Sequence, residues 1–249
     1  MSAPVLVEEH ADRVVLRLNR PEVRNAIDLA TVEALHEACR MLEKEPRIAL
    51  IIGAGGTFAA GADIGELRER RRDDALAGIN SGLFGRIQRL PMPTIALIDG
   101  FALGGGAELA YACDFRIGTP EARIGNPEPG LGILAAAGAS WRLKELIGEP
   151  LAKEVLLAGR ILTADEARDT HLLSDVVPAD QLEDAGHRLA DRIAAQAPLA
   201  VRLTKAAFHA PREAHPLIDD LAQAVLFETQ EKDERMTAFL ERRAKKEHP

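Results

Sequence analysis

The feature that most constrains the fold of this chain is a glycine-dense segment at residues 99–110. An apolar run at 93–98 precedes it, the pattern of a buried strand, and a nearly all-apolar helix is predicted at 107–113. Three consecutive glycines let backbone N–H groups approach a ligand, and the helix N-terminus adds partial positive charge. With Glu108 in the first helical turn, the segment predicts a site for developing negative charge beside a carboxylate. The alternative is a packing turn, with Glu108 as a favourable partner of the helix dipole.

Apolar runs and amphipathic patterns alternate along the first two-thirds of the chain, and helical patterns alone fill the last third. This order predicts an α/β fold. Strands are expected at 5–7, 14–18, 48–52, 115–118 and 175–177, and Asp28 is expected to cap the helix that follows it. The later helices are expected at 138–147, 150–159, 164–170, 179–196, 198–209 and 215–242.

Composition excludes several kinds of partner. Hydrophobic residues make up 47% of the chain, as in globular proteins, and the net charge of −8 disfavours nucleic-acid and membrane-surface partners. The seven histidines show no zinc-type spacing, so no metal is expected. Cys39 and Cys113 are expected to be buried free thiols. The N-terminal residues lack a secretory signal pattern and no apolar run reaches membrane-spanning length, so a cytoplasmic location is expected.

A second glycine-rich strand exit covers residues 53–64. Phe58 stands where the third glycine of G-x-G-x-x-G would be, and no Gly-Lys-Ser/Thr ends the loop. A nucleotide-binding fold is therefore disfavoured. In a later loop Glu128 lies between Pro127 and Pro129, which restrict the local backbone. On local grounds alone, an exposed loop glutamate is the simpler interpretation of Glu128.

Three motifs together resemble the crotonase (enoyl-CoA hydratase/isomerase) superfamily. They are residues 58–64 (Phe-Ala-Ala-Gly-Ala-Asp-Ile), 100–110 (Gly-Phe-Ala-Leu-Gly-Gly-Gly-Ala-Glu-Leu-Ala) and 126–128 (Asn-Pro-Glu), and the resemblance covers nearly the whole chain. It implies a spiral of ββα repeats over 1–190 that carries the active site. It also implies a C-terminal helical region at 191–249 that mediates trimerisation, with trimers often pairing into hexamers. The implied substrate is an acyl-CoA thioester.

The resemblance also implies roles for particular residues. The family's oxyanion hole, two backbone N–H groups that stabilise charge on the thioester oxygen, corresponds to Ala62 and Gly105. Its two catalytic glutamates correspond to Glu108 and Glu128, one activating water for attack at Cβ while the other delivers a proton to Cα. The implied contacts of the acyl-CoA are Arg24, Ala26, Ala60, Ala62, Asp63, Ile64, Gly104 and Gly105, with Ala136 N–H toward the water and Arg24, Arg243 and Lys246 toward the phosphates.

The presence of both glutamates favours a hydro-lyase, an enoyl-CoA hydratase that adds water syn across a 2-trans-enoyl-CoA double bond without a metal or redox cofactor. One alternative is another crotonase reaction, such as isomerisation of a 3-enoyl-CoA through a single glutamate. The other is a non-catalytic acyl-CoA-binding protein. One departure bears on the choice, because residues 134–139 (Leu-Ala-Ala-Ala-Gly-Ala) replace the family's Ile-Pro-Gly-x-Gly-Gly turn. The added methyl groups narrow the space near Glu128, which affects acyl chain preference and hydration itself.

Overall fold

The structure, a computed structural model, describes residues 3–247, with their side chains as far as Ala244. The chain divides into two compact units, one that ends at Ala190 and one that begins at Asp191. The first unit contains all the strands named below and has a mixed α/β composition, whereas the second is helical.

Nine strands form two sheets in the first unit. They are β1 (Val5–Glu9), β2 (Arg13–Leu18), β3 (Ile48–Gly53), β4 (Thr94–Ile98), β5 (Phe101–Leu103), β6 (Phe115–Gly118), β7 (Arg123–Gly125), β8 (Ile161–Thr163) and β9 (Asp175–Val176). The larger sheet has the order β1-β2-β3-β4-β6-β9, with β1 antiparallel to β2 and every other pair parallel. The smaller sheet has the order β5-β7-β8, with β5 parallel to β7 and β8 antiparallel to it.

Nine helices accompany these strands, and the last of them crosses the boundary between the units. They are α1 (Leu29–Lys44), α2 (Ile64–Glu69), α3 (Arg72–Leu76), α4 (Ile79–Gln88), α5 (Gly105–Ala112), α6 (Ala139–Ile147), α7 (Glu149–Ala158), α8 (Ala164–Asp169) and α9 (Leu182–Ala194). The second unit continues with α10 (Pro198–Phe208), α11 (Leu217–Phe227) and α12 (Gln230–Glu247).

The core of the first unit follows from the apolar pattern of its elements. Every residue of β3 and β4 is buried, as expected for parallel strands that are covered on both faces. The Asp28 side chain accepts a hydrogen bond from the Thr31 N–H at 2.8 Å, which confirms the predicted N-cap of α1. Cys39 and Cys113 are buried and form no disulfide among the described residues, as predicted. No helix in the described part of the chain is long and apolar enough to cross a membrane.

The structure corrects two sequence predictions of secondary structure. The single helix expected at 215–242 is two helices, because the Thr229 hydroxyl bonds the Leu226 carbonyl at 2.8 Å and accepts from the Lys232 N–H at 3.3 Å, which ends α11 and starts α12. The strands of the smaller sheet were not predicted. Each has three residues, too few for an alternating pattern to be recognised.

Gly106 allows α5 to pack directly against another segment of backbone. A Cβ at this position would lie 2.1 Å from the carbonyl oxygen of Ala59, far inside van der Waals contact. Since α5 carries Glu108 and begins with Gly105, this close approach positions the predicted site.

Gly106→Ala is expected to destabilise the protein by about 3 kcal/mol, because the backbone of Ala59 cannot yield as a side chain would. Thermal unfolding would measure the change. The control is Gly82→Ala in α4, where the new methyl group would have no described atom within 4 Å apart from its chain neighbours and the backbone of its own helix. That control should be neutral or stabilising by up to about 1 kcal/mol, because alanine favours helix. Equal melting temperatures for the two variants would contradict the packing argument.

Candidate active site

The backbone N–H groups of Ala62 and Gly105 lie close together at the N-terminus of α5. A Cβ built on Gly105 would stand 3.4 Å from the Ala62 nitrogen. Gly105 is the first residue of α5, where an N–H has no partner within its own helix. Neither N–H donates a hydrogen bond to any atom of residues 3–247. The pair can therefore bind one oxygen atom, with the partial positive charge of the helix N-terminus favouring an anion.

Backbone pairing on both sides brings Ala62 to this position. Ala59 exchanges two hydrogen bonds with β5, of 3.0 and 3.1 Å, and so aligns with the strand that leads into α5. Ile27 exchanges two more with the residues on either side of Ala62, of 2.8 and 3.1 Å. The segment from Ala59 to Ala62 is thus held between two others, although neither pairing extends far enough to form a regular strand.

The first group of predicted acyl-CoA contacts, Arg24, Ala26 and Ala60, comes together beside this segment. The Arg24 carbonyl accepts a hydrogen bond from the Ala60 N–H at 3.0 Å, and Arg24 has a left-handed backbone with φ of 54° and an exposed side chain. The Ala26 carbonyl accepts from the Arg20 guanidinium at 2.7 Å. Arg24 is therefore placed at the surface beside Ala60, where it can meet a charged group.

Asp63, another predicted contact residue, is the N-cap of α2. Its carboxylate accepts hydrogen bonds from two backbone N–H groups at the start of α2, at 3.0 and 3.2 Å, and therefore caps that helix. It also lies 3.9 Å from Arg20, which pairs with Asp28 at 3.0 Å. Ile64, the next residue, has a 59% exposed side chain. The carboxylate of Asp63 thus orients the Ala62 segment and leaves Ile64 at the surface.

Glu108 is a buried carboxyl held by a turn that is distant in sequence. Its Oε1 accepts hydrogen bonds from the Ala137 N–H at 2.7 Å and the Ala139 N–H at 3.1 Å. Burial raises the pKa of Glu108 to about 7, with a further rise from the charge of Glu128, while the two amides oppose the rise. A carboxyl with this pKa exchanges protons readily near neutral pH.

Glu128 is also buried, which overturns the interpretation of an exposed loop glutamate. It starts a 3₁₀ turn, Glu128–Leu131, directly after Pro127. One oxygen accepts a long hydrogen bond of 3.4 Å from Asn126 Nδ2, and the other has no hydrogen-bond partner within the described structure. Burial raises the pKa of Glu128 as well. The unpartnered oxygen can bind a ligand or water group.

Gly104 separates the two carboxyl-bearing segments. Its carbonyl accepts the N–H of Glu108 at 3.0 Å, and a Cβ on it would lie 3.1 Å from Glu128 Oε1. With φ of 51° and ψ of −124°, Gly104 has a backbone conformation that strongly favours glycine. The predicted contact residue Gly104 therefore also determines how closely Glu128 approaches α5.

Sequence reasoning missed the polar groups that support these carboxyls. The buried Tyr111 hydroxyl donates to Asn126 Oδ1 at 3.1 Å, and Asn126 Nδ2 donates to the Gly104 carbonyl and to Glu128, both at 3.4 Å. Tyr111 follows Glu108 by three residues on an otherwise apolar helix, and this spacing could have identified it. No sequence signal could have identified Ala137 and Ala139, which act through backbone N–H groups.

Three further predicted site residues are Ala136, Arg243 and Lys246. Ala136 is exposed, and the amides that bind Glu108 belong to the next residue, Ala137, and to Ala139. Arg243 belongs to the second unit, and the side chain of Lys246 lies outside the described residues. No group of three or more His, Cys, Asp or Glu within the described residues could hold a metal ion.

Two buried carboxyls with raised pKa values can divide proton donation and acceptance between them. Beside them, two backbone amides can stabilise an oxygen on which negative charge develops. This combination, on two sheets connected by residues 99–100 between β4 and β5, is that of an acid–base enzyme of the crotonase fold. A family model described as enoyl-CoA hydratase/isomerase matches residues 8–247, and the chain belongs to that family.

Relatives that match nearly the whole chain are named as hydratases of CoA esters. A crotonyl-CoA hydratase of Syntrophomonas wolfei is 36% identical over 96% of this chain and 95% of its own length. A 2,3-dehydroadipyl-CoA hydratase of Escherichia coli is 34% identical, with 96% of both chains covered. Among solved structures, the enoyl-CoA hydratase of Bacillus anthracis superimposes with a TM-score of 0.90 at 33% identity, again with 96% of both chains covered.

The raised pKa of Glu108 predicts a stability cost that depends on pH. The folded state binds a proton more tightly than the unfolded state, so stability falls as pH rises from about 4.5 to about 7 and stays reduced above that. Glu108→Gln removes this ionisation. The difference in the free energy of unfolding between the variant and wild type should therefore grow in favour of the variant by about 3 kcal/mol from pH 4.5 to pH 8.

Urea unfolding of both proteins at pH 4.5 and pH 8 would measure the difference. Glu121→Gln, which removes an exposed carboxylate of the same unit, is the matched control. A gain for Glu108→Gln that does not change with pH would contradict the raised pKa.

Proposed function

We propose that this chain is an enoyl-CoA hydratase, a hydro-lyase that adds water syn across the double bond of a 2-trans-enoyl-CoA to give a 3-hydroxyacyl-CoA. The observation that carries the proposal is the pair of buried glutamates, Glu108 and Glu128, both with raised pKa values, beside the amides of Ala62 and Gly105. Relatives named as hydratases of crotonyl-CoA and of 2,3-dehydroadipyl-CoA support an enoyl-CoA substrate.

The reaction follows from the roles that these groups can take. The thioester oxygen binds between the N–H groups of Ala62 and Gly105, which stabilise the enolate-like charge by about 3 kcal/mol each. Of the carboxyl groups of Glu108 and Glu128, one is ionised and removes a proton from water as the water oxygen bonds to Cβ, and the other is protonated and delivers its proton to Cα. Both act from one side of the double bond, which makes the addition syn. The two groups interact, so their titration belongs to the pair.

The remaining predicted contacts serve the coenzyme A part of the substrate. The backbone of Ala60, Ala62, Asp63 and Ile64 would lie along the pantetheine and adenine, and the exposed Arg24 would meet the phosphates. Within the proposal Gly104 leaves room beside Glu128, Ala26 supports the segment next to Ala60, and the N–H of Ala136 approaches the water. No metal or redox cofactor takes part in the proposed reaction, and coenzyme A enters only as part of the substrate.

The proposed assembly is a homotrimer, or a hexamer made of two trimers, in the cytoplasm. The second unit supports self-association because its helices expose apolar side chains, and exposed apolar patches mark interaction surfaces. These side chains are Leu217, Leu221, Val225, Phe227, Phe239 and Leu240.

Loss of the conjugated-enoyl absorbance of crotonyl-CoA and of a longer 2-enoyl-CoA would test the reaction. Glu108→Gln and Glu128→Gln should each lower kcat by about 10²- to 10⁴-fold, because each removes one proton-transfer group. Glu121→Gln, the exposed control, should retain wild-type turnover.

Each other outcome identifies a different function. Turnover of a 3-enoyl-CoA alone, lost in only one of the two variants, would make the protein an isomerase. Tight binding of a CoA ester without any turnover would make it an acyl-CoA-binding protein, with the 134–139 turn excluding water. Either result would overturn the hydratase proposal.

A charge placed on the exposed face of α11 should weaken the proposed assembly. Leu217→Lys with Leu221→Lys puts two cations on neighbouring turns and is expected to lower the mass measured by light scattering to that of the monomer. Asp220→Lys on the same helix is the control for added charge. An unchanged mass for the double variant would show that this face is not an interface.

A further inference from the structure

Arg142, on the first turns of α6, is a buried cation without a carboxylate ion pair among the described residues. Only 6% of its surface is exposed. Its guanidinium donates to Gln88 Oε1 at 2.7 Å and to the Ala137 carbonyl at 3.4 Å, and its Nε has no partner in the described structure. A buried charge of this kind is costly unless an opposite charge lies near, so its presence calls for a compensating group.

The guanidinium packs against the turn that holds Glu108. A Cβ at Gly138 would lie 2.4 Å from Arg142 Nη1, so the turn fits closely over the arginine. On the same turn, the N–H groups of Ala137 and Ala139 donate to Glu108. Ala137 therefore binds Arg142 through its carbonyl and Glu108 through its amide, which places the turn between the cation and the carboxyl.

The charges around Arg142 favour Glu108 as its compensating group. Burial lowers the pKa of Arg142, and the charge of Glu108 is the largest of the effects that raise it again. Arg142 in turn lowers the pKa of Glu108, which means that it stabilises the ionised carboxylate. The other groups that act on Arg142 are Arg89, Cys113 and Glu145. The other groups that act on Glu108 are Glu128 and the two turn amides. The charges of both carboxyls raise the pKa of Tyr111.

We propose that Arg142 is a positioning residue for Glu108, which fixes the 137–139 turn against the Glu108 carboxylate and balances its negative charge. The role of Glu108 in catalysis rests on the proposed function, but the contact itself does not. Without this contact the turn would be free to withdraw its two amides, and Glu108 would then lose both hydrogen bonds and the stabilising charge of Arg142. Trp141 stacks on the guanidinium in a cation–π contact, with its ring centre 5.3 Å from Cζ.

A double-mutant cycle in stability tests this contact without substrate. Wild type, Arg142→Met, Glu108→Gln and the double variant are unfolded in urea at pH 8, where Glu108 is mostly ionised, and at pH 5, where it is mostly protonated. The expected coupling is about tenfold in the unfolding equilibrium constant at pH 8 and close to none at pH 5. Equal coupling at both pH values, or none at either, would overturn the proposal.

The pH profile of kcat/KM supplies the second readout. Arg142→Met should move the limb controlled by Glu108 to higher pH by about one unit, whichever proton-transfer role Glu108 has, and Arg142→Lys should restore most of the shift. Arg89→Met, which removes an exposed cation whose charge acts on Arg142, is the matched control and should leave the limb in place. An unmoved limb in Arg142→Met would overturn the proposal. If no enoyl-CoA is turned over, the proposed function fails, and the stability cycle still decides the role of Arg142.

Discussion

The packing of backbone against backbone at the start of α5 is the constraint on which the site depends. Gly106 lies so close to the Ala59 carbonyl that a methyl group could not be accommodated between them. Ala59 also pairs with β5, the strand that leads into the helix. These contacts place the Ala62 N–H beside the Gly105 N–H, although the two residues are separated by more than forty positions in the chain. A pair of amides held in this way needs no reorganisation when negative charge develops between them.

Two buried carboxyls beside this pair carry a cost in stability. Glu108 and Glu128 both have raised pKa values, chiefly because burial disfavours the charged form. The protein offsets part of that cost at Glu108 with the amides of Ala137 and Ala139. At Glu128 one oxygen has no hydrogen-bond partner among residues 3–247, a cost in stability of the kind that is found at functional sites. The unequal support gives two chemically identical side chains different environments.

The 134–139 turn has a role in the structure that its sequence does not indicate. From the sequence it is a departure from the family pattern that narrows the space near Glu128. In the structure it holds Glu108 through backbone amides, which alanine and glycine provide equally well. The alanine that replaces a glycine at position 139 therefore keeps its hydrogen bond to Glu108. Arg142 lies beneath the same turn, so a single segment links the carboxyl to a buried cation.

The sequence by itself determined the α/β class, the strands β1 to β4, the cap at Asp28 and the family, because these depend on local apolar patterns and on short motifs of invariable spacing. It also identified Glu108, whose place in the first turn of an apolar helix is a local property. Only the tertiary structure decided that Glu128 is buried. The prolines on either side of it restrict the local backbone but do not determine which residues pack over its side chain. The same holds for the Tyr111–Asn126 hydrogen bond, the turn amides and Arg142, since each depends on segments that are brought together by packing. Backbone donors have no sequence signature at all, and burial is a property of the whole chain, so the supporting groups of the site could be found only in three dimensions.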